Sequence, residues 1–223
     1  MQLNGKVWYY EKKGGVLMGR LFKISIGFLI LLALIGCSNE SNTTKKADGV
    51  LTPVKQNERN TQIISSLGFD TLLMYDLKIK NEDIKMIHVW VEHYKNGEKQ
   101  EDIARGATAT NEDMKLAAAK MNFNLDDNTT YARWTLSMTD GTGSSTMQSP
   151  VLEVDTSIGT AQTQLVDKIN IEAEKPQALA LIVKDGSNGI RVGLDEDVIE
   201  NTIKENDEVY IVRVMISKTE DYE

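Results

Sequence analysis

From residue 69 onward, apolar side chains recur at every second position over several separate segments, and that period admits strands rather than helices. In residues 69–80, Phe69, Leu73, Tyr75, Leu77 and Ile79 fall on one side, while Asp76, Lys78 and Lys80 fall on the other. A strand sends successive side chains to opposite faces, so one face here is built for burial. Residues 84–95 follow, rich in β-branched and aromatic side chains. Asn96-Gly97 then predicts a tight hairpin, because both central positions of a type I′ turn need positive φ.

A second hairpin is expected where Met121, Phe123 and Leu125 alternate with asparagines, turn at residues 126–128, and resume as Ala132, Trp134, Leu136 and Met138. Residues 140–145 read as a loop. Ile169, Ile171 and Ala173 alternate with charged or amide neighbours, and the unbroken apolar run 178–183 predicts a central strand. Residues 185–189 read as a turn into Ile190, Val192 and Leu194, and residues 208–217 as a closing β-branched strand.

Two stretches carry helical signals. Residues 195–204 begin acidic and place Val198, Ile199 and Ile203 at helical spacing. Residues 111–120 have an N-cap, an acidic first turn and three alanines, or else lead into the strand at Met121. The expectation for residues 63–223 is a mainly β domain, an antiparallel β-sandwich with one or two short helices. The segment near residues 140–150 is the place where the domain would divide if it were two.

The N-terminal part has another character. Arg20 and Lys23 precede an uncharged run, residues 24–36, which ends at Cys37, the sole cysteine of the chain. This is the charged start and apolar stretch of an export signal. As a helix the run spans roughly 20 Å, short of the roughly 30 Å hydrocarbon core, which argues against a stable membrane span. Leu34-Ile35-Gly36-Cys37 resembles the lipobox of bacterial lipoproteins. The resemblance covers residues 18–38 and implies a diacylglycerol on the Cys37 thiol, cleavage just before it, and a lipid-anchored, extracytoplasmic protein at the cell membrane. One acyl chain holds only marginally, and two on one glycerol hold durably. Residues 18–36 are then the signal peptide. Lys13-Gly14-Gly15 can be encoded by a ribosome-binding sequence two codons before Met18, so residues 1–17 read as a translated leader or a long charged region. Residues 37–62, polar and poor in apolar side chains, read as a flexible tether.

Charge narrows the partners. The chain carries −8 overall, but residues 1–36 hold five cations against Glu11 alone, which leaves −12 for the remainder. A domain this acidic lacks the clustered cations that nucleic-acid binding needs. A sole, lipidated cysteine excludes an internal disulfide and a thiol nucleophile. Gly143-Ser144-Ser145 sits in a turn without a base beside it, and no catalytic residue, metal site or cofactor is assigned. His88 and His93 lie five apart on one strand and face opposite sides, so they cannot share a metal there. Asp195-Glu196-Asp197 lacks the ligand spacing of a calcium loop and reads as a helix start.

One constellation remains. If Ile87, Val89 and Val91 face the core, then Met86, His88, Trp90 and Tyr94 share the other face. That face is a candidate binding strip for a sugar or a peptide. The competing expectation is that a neighbouring layer covers both faces. The functional expectation is a membrane-tethered, non-enzymatic interaction module with an envelope protein or a wall polymer as partner. The alternatives are a solute-binding transporter component, which usually has two α/β lobes, and an envelope hydrolase.

Overall fold

The computed structural model describes residues 47–109, 113–126, 128–187 and 189–220. The expected export signal, Cys37 and the first part of the expected tether lie outside the described residues. Among the described residues, thirteen strands are arranged in two sheets, with two helices. In chain order the strands are β1 (Gly49–Pro53), β2 (Phe69–Ile79), β3 (Met86–Lys95), β4 (Glu98–Lys99), β5 (Ala104–Ala109), β6 (Met114–Asn124) and β7 (Thr130–Thr139). They continue as β8 (Ser144–Gln148), β9 (Leu152–Val154), β10 (Gly159–Gln164), β11 (Ile169–Ile171), β12 (Gln177–Asp185) and β13 (Glu208–Ser217). Helix α1 is Glu58–Ser66 and α2 is Glu196–Glu205.

The first sheet runs β11-β1-β2-β6-β7-β8, with β9 also on β7. The second runs β10-β12-β13-β3-β4, with β5 also on β3. Every pairing is antiparallel. The sheets pack face to face as a β-sandwich. Leu73, Tyr75, Leu77, Leu116, Trp134 and Leu136 from the first sheet meet Val89, Val91, Ile182, Tyr210, Val212 and Val214 from the second in one buried core. The Tyr75 hydroxyl crosses between the sheets and donates to the Leu179 carbonyl at 2.9 Å. Among the described residues, no helix is long and apolar enough to cross a membrane.

The second sheet is buried on its outer face as well. Ala178, Leu181, Val183, Val209 and Ile211 pack there against Ile199 of α2, with Ile190, Val192, Leu194 and Ile203 half-buried around them. Burial on both faces explains why β12 is apolar without alternation. Residues 190–194 are not a strand; their alternate apolar side chains serve this cover instead.

Three expectations are corrected. Residues 37–62 are not a tether throughout, because β1 pairs with both β2 and β11 and buries Val50 and Leu51. Helix α1 follows, capped by the Asn57 side chain, which accepts from the Asn60 N–H at 2.8 Å. The helical signal at residues 111–120 yields to strand from Met114, since Met114, Leu116 and Ala118 point into the core while β2 and β7 pair on either side. Pairing on both edges outweighs the helix preference of alanine, which is worth a few tenths of a kcal/mol per residue. Finally, the segment near residues 140–150 divides nothing: Asp140 holds a tight turn, and β8 folds back on β7 within the same sheet.

Candidate functional site

The side chains grouped in the sequence as a binding strip share the outer face of β3. Met86, His88 and Trp90 are only 1%, 4% and 5% exposed, and Tyr94 is half-buried, so they form no open strip. Trp90 is held by charge as well as by packing. Its indole N–H donates to Glu92 Oε1 at 3.1 Å, and the Arg105 guanidinium lies 5.2 Å from its ring centroid. Arg213, directly opposite Trp90 on β13, donates to Glu92 Oε2 at 2.9 Å and bidentately to Glu196 at 2.7 and 3.1 Å. Glu196 is the first residue of α2, so this network fastens the helix to the sheet. Burial pushes the Glu92 carboxyl up, but the Trp90 hydrogen bond and the charges of Arg213 and Lys99 outweigh it and hold it below its ordinary value.

The open chemistry lies at one end of the sandwich. The Asn96-Gly97 turn, with φ of 52° and 81°, closes β3 onto β4, and the β3–β13 register sets Lys95 opposite Glu208. On the other side of Glu208, the ladder places Lys184. Two residue pairs inward come His93 and Tyr210, whose rings stack at 4.9 Å and 4°. His93 Nε2 meets Glu208 Oε1 at 2.9 Å. Burial raises the Glu208 carboxyl, but hydrogen bonds from His93 and Tyr210 and the nearby His93 and Lys184 charges prevail, leaving it below its ordinary value. Lys184 is 4% exposed, and its ammonium donates to the Asp155 carbonyl. Its pKa is lowered, chiefly by burial, with Lys120 adding to the effect and Glu208 and Asp155 opposing it.

The first sheet supplies the facing wall. The Asp126 carboxylate accepts from the Asn128 and Thr129 N–H groups at 2.9 and 2.8 Å and so shapes the β6–β7 turn. The Asp155 carboxylate likewise accepts from the Ser157 N–H and hydroxyl at 2.8 and 2.6 Å. Between the walls is a cleft of about 620 Å³, with Lys95, Thr129, Thr130, Glu153, Asp155 and Glu208 around it. Its carboxylates can accept hydrogen bonds and offset positive charge, while Lys95 can only donate.

Sequence reasoning did not assemble this cleft. Its parts come from residues 95, 128–130, 153–157 and 208, and only the strand registers bring them together. His88 and His93 do face opposite ways, His88 outward and His93 toward the cleft end. Among the described residues, no group of three His, Cys, Asp or Glu is placed to hold a metal ion.

Comparison with curated proteins gives no match, and neither does comparison with solved structures. The YgaN domain family, in contrast, matches residues 50–216, a span that opens in β1 and closes in β13 and so coincides with the sandwich. That is well over half of the 223 residues, and the chain belongs to the YgaN domain family.

Proposed function

We propose that this protein is a lipid-anchored, extracytoplasmic interaction module of the bacterial cell envelope. Its membrane attachment is a lipid on Cys37, and its working end is the cleft at Glu208. The export signal and the lipobox-like Leu34-Ile35-Gly36-Cys37 support the anchor. The observation that carries the reading is the polarity of the sandwich. Gly49, where the described domain begins its first strand, pairs with Ile79 at one end of β2. The cleft lies at the opposite end, where Phe69 begins β2 and Thr130 pairs with Val154. Ten intervals along β2 at about 3.3 Å each separate the two ends by roughly 33 Å.

The link is short. Nine residues, 38–46, separate Cys37 from the described domain, and chain geometry limits their reach to about 35 Å. On this reading the Gly49 end of the sandwich is the one joined to the anchor by the chain, and the cleft is at its other end. The transporter-component alternative usually involves two α/β lobes enclosing a ligand, whereas residues 47–220 build a single sandwich.

The test uses the chain's single cysteine. With Cys37 acylated, a Thr156→Cys variant carries one free thiol, at the exposed rim of the cleft. A membrane-impermeant maleimide is expected to label it in intact cells. Labelling only after lysis would contradict the extracytoplasmic reading.

A further inference from the structure

We propose that the open edge of β10 pairs antiparallel with the same edge of a second copy of this chain, joining two second sheets across a two-fold axis. Strand β10 ends its sheet, with β12 as its partner on one side. The Leu165 N–H donates to the Leu179 carbonyl at 2.8 Å, so these two residues form a hydrogen-bonded pair of that ladder. Such pairs recur at every second residue. Ala161 and Thr163 therefore also turn their backbone groups toward β12, and Thr160, Gln162 and Gln164 turn theirs outward. Among the described residues, these outward groups meet no backbone partner.

An open edge is a template for another strand, and proteins defend it with charge, proline or shortness. The other edges here carry such defences. Strand β4 is two residues long and both are charged, β5 carries Arg105, and β9 and β11 have three residues each. Strand β8 runs into Ser149-Pro150, and its Met147 side chain packs against Gly106 of the facing sheet. Strand β10 has none of these. From Thr156 to Val166 the chain holds no charge and no proline. Val166, just past the strand, is left 70% exposed.

The edge is also its own complement, which points to a second copy as the occupant. In a two-fold interface residue i meets j and j meets i. Antiparallel pairing centred on Gln162 sets Thr160 opposite Gln164 of the second copy and Gln162 opposite itself, so outward backbone groups meet outward backbone groups. The same register sets Ile158 opposite Val166, an apolar pair at each end, and opposes no like charges. A strongly charged partner would find no opposite charge on this edge. From residue 37 onward the chain carries −12, so two copies repel, and they repel least where they meet along a neutral edge.

Sedimentation equilibrium of the full chain in detergent tests this. Every sample carries Cys37→Ser, which removes the native thiol and any lipid, so the result is independent of the anchor. The chain with no further change is expected to form dimers as concentration rises. Thr160 and Gln164 are exposed and opposite each other in the proposed register. Thr160→Lys with Gln164→Lys then opposes like charges twice, whereas Thr160→Lys with Gln164→Glu opposes unlike charges twice. The second pair of changes is expected to dimerise at least about tenfold more tightly than the first. Less overall negative charge would by itself favour the first, so repulsion between whole domains cannot produce this order. Mild oxidation reads the register. Gln162→Cys lies roughly 5.5 Å from its copy, Cα to Cα, within disulfide reach, and is expected to cross-link. Gln164→Cys lies roughly 14 Å from its copy along the strand and is expected to stay unlinked. A chain that remains monomeric, equal dimerisation of the two lysine-bearing variants, or equal cross-linking of the two cysteine variants would each overturn the proposal.

Discussion

Trp90 shows how one side chain can be apolar cover and hydrogen-bond donor at once. Its ring is packed beneath Arg105, and its N–H satisfies Glu92, which in turn holds Arg213. Trp90→Ala removes the ring and one of the bonds that keep Glu92 ionised, so it is expected to destabilise the domain by roughly 3–5 kcal/mol in denaturant unfolding. A variant within about 1 kcal/mol of the parent would contradict the packing described here. His88, on the same face, has a buried Nε2 with no hydrogen-bond partner among the described residues. Burial, helped by the Arg105 charge and opposed by Glu174, lowers its pKa. The unfolded chain therefore binds the His88 proton more readily than the folded one. The His88 contribution to stability is complete above the ordinary histidine pKa of about 6.5 and is lost as pH falls below it. His88→Leu is expected to flatten stability against pH between 7 and 5. Unchanged slopes in parent and variant would show that His88 is not the group responsible.

At the scale of elements, the β3–β4 turn offers a clean case, because backbone conformation alone decides it. Gly97 has φ of 81°, and a Cβ built there meets nothing closer than the Ile203 carbonyl at 3.7 Å. Gly97→Val therefore strains the backbone without crowding it and is expected to cost about 1–2 kcal/mol. A neutral result in thermal unfolding would mean that the turn had changed type. This turn was legible in the sequence because its signal is local. So were β2, β3, β7, β12 and β13, where the apolar period or run lies within one segment. The strand at Met114 was only half legible, since alanines and an acidic start favour helix locally and only β2 and β7 on either edge decide otherwise. Leu125, grouped in the sequence with Met121 and Phe123, ends 70% exposed, because the β6–β7 register pairs Asn122 with Ala132 and turns the Met121 and Phe123 side chains away from Trp134's face. The cleft was not legible at all. Its Glu208–His93 pair spans 115 residues, and no spacing rule reaches that far.

For the molecule as a whole, the proposed function divides the work between the two ends of the sandwich. The Gly49 end is where the chain enters the described domain, and the Glu208 end holds the charged cleft. On the second sheet, α2 and the Glu92–Arg213–Glu196 network cover the outer face of β12 and β13. The cleft at the Glu208 end, away from the proposed anchor, is open. That division has meaning only if Cys37 carries lipid. The most direct measurement is radiolabelled palmitate incorporation in growing cells that express the parent or Cys37→Ala. The parent is expected to incorporate label and lose residues 1–36, while Cys37→Ala takes up none and keeps them. Equal label in both chains, or no label in the parent, would contradict the account.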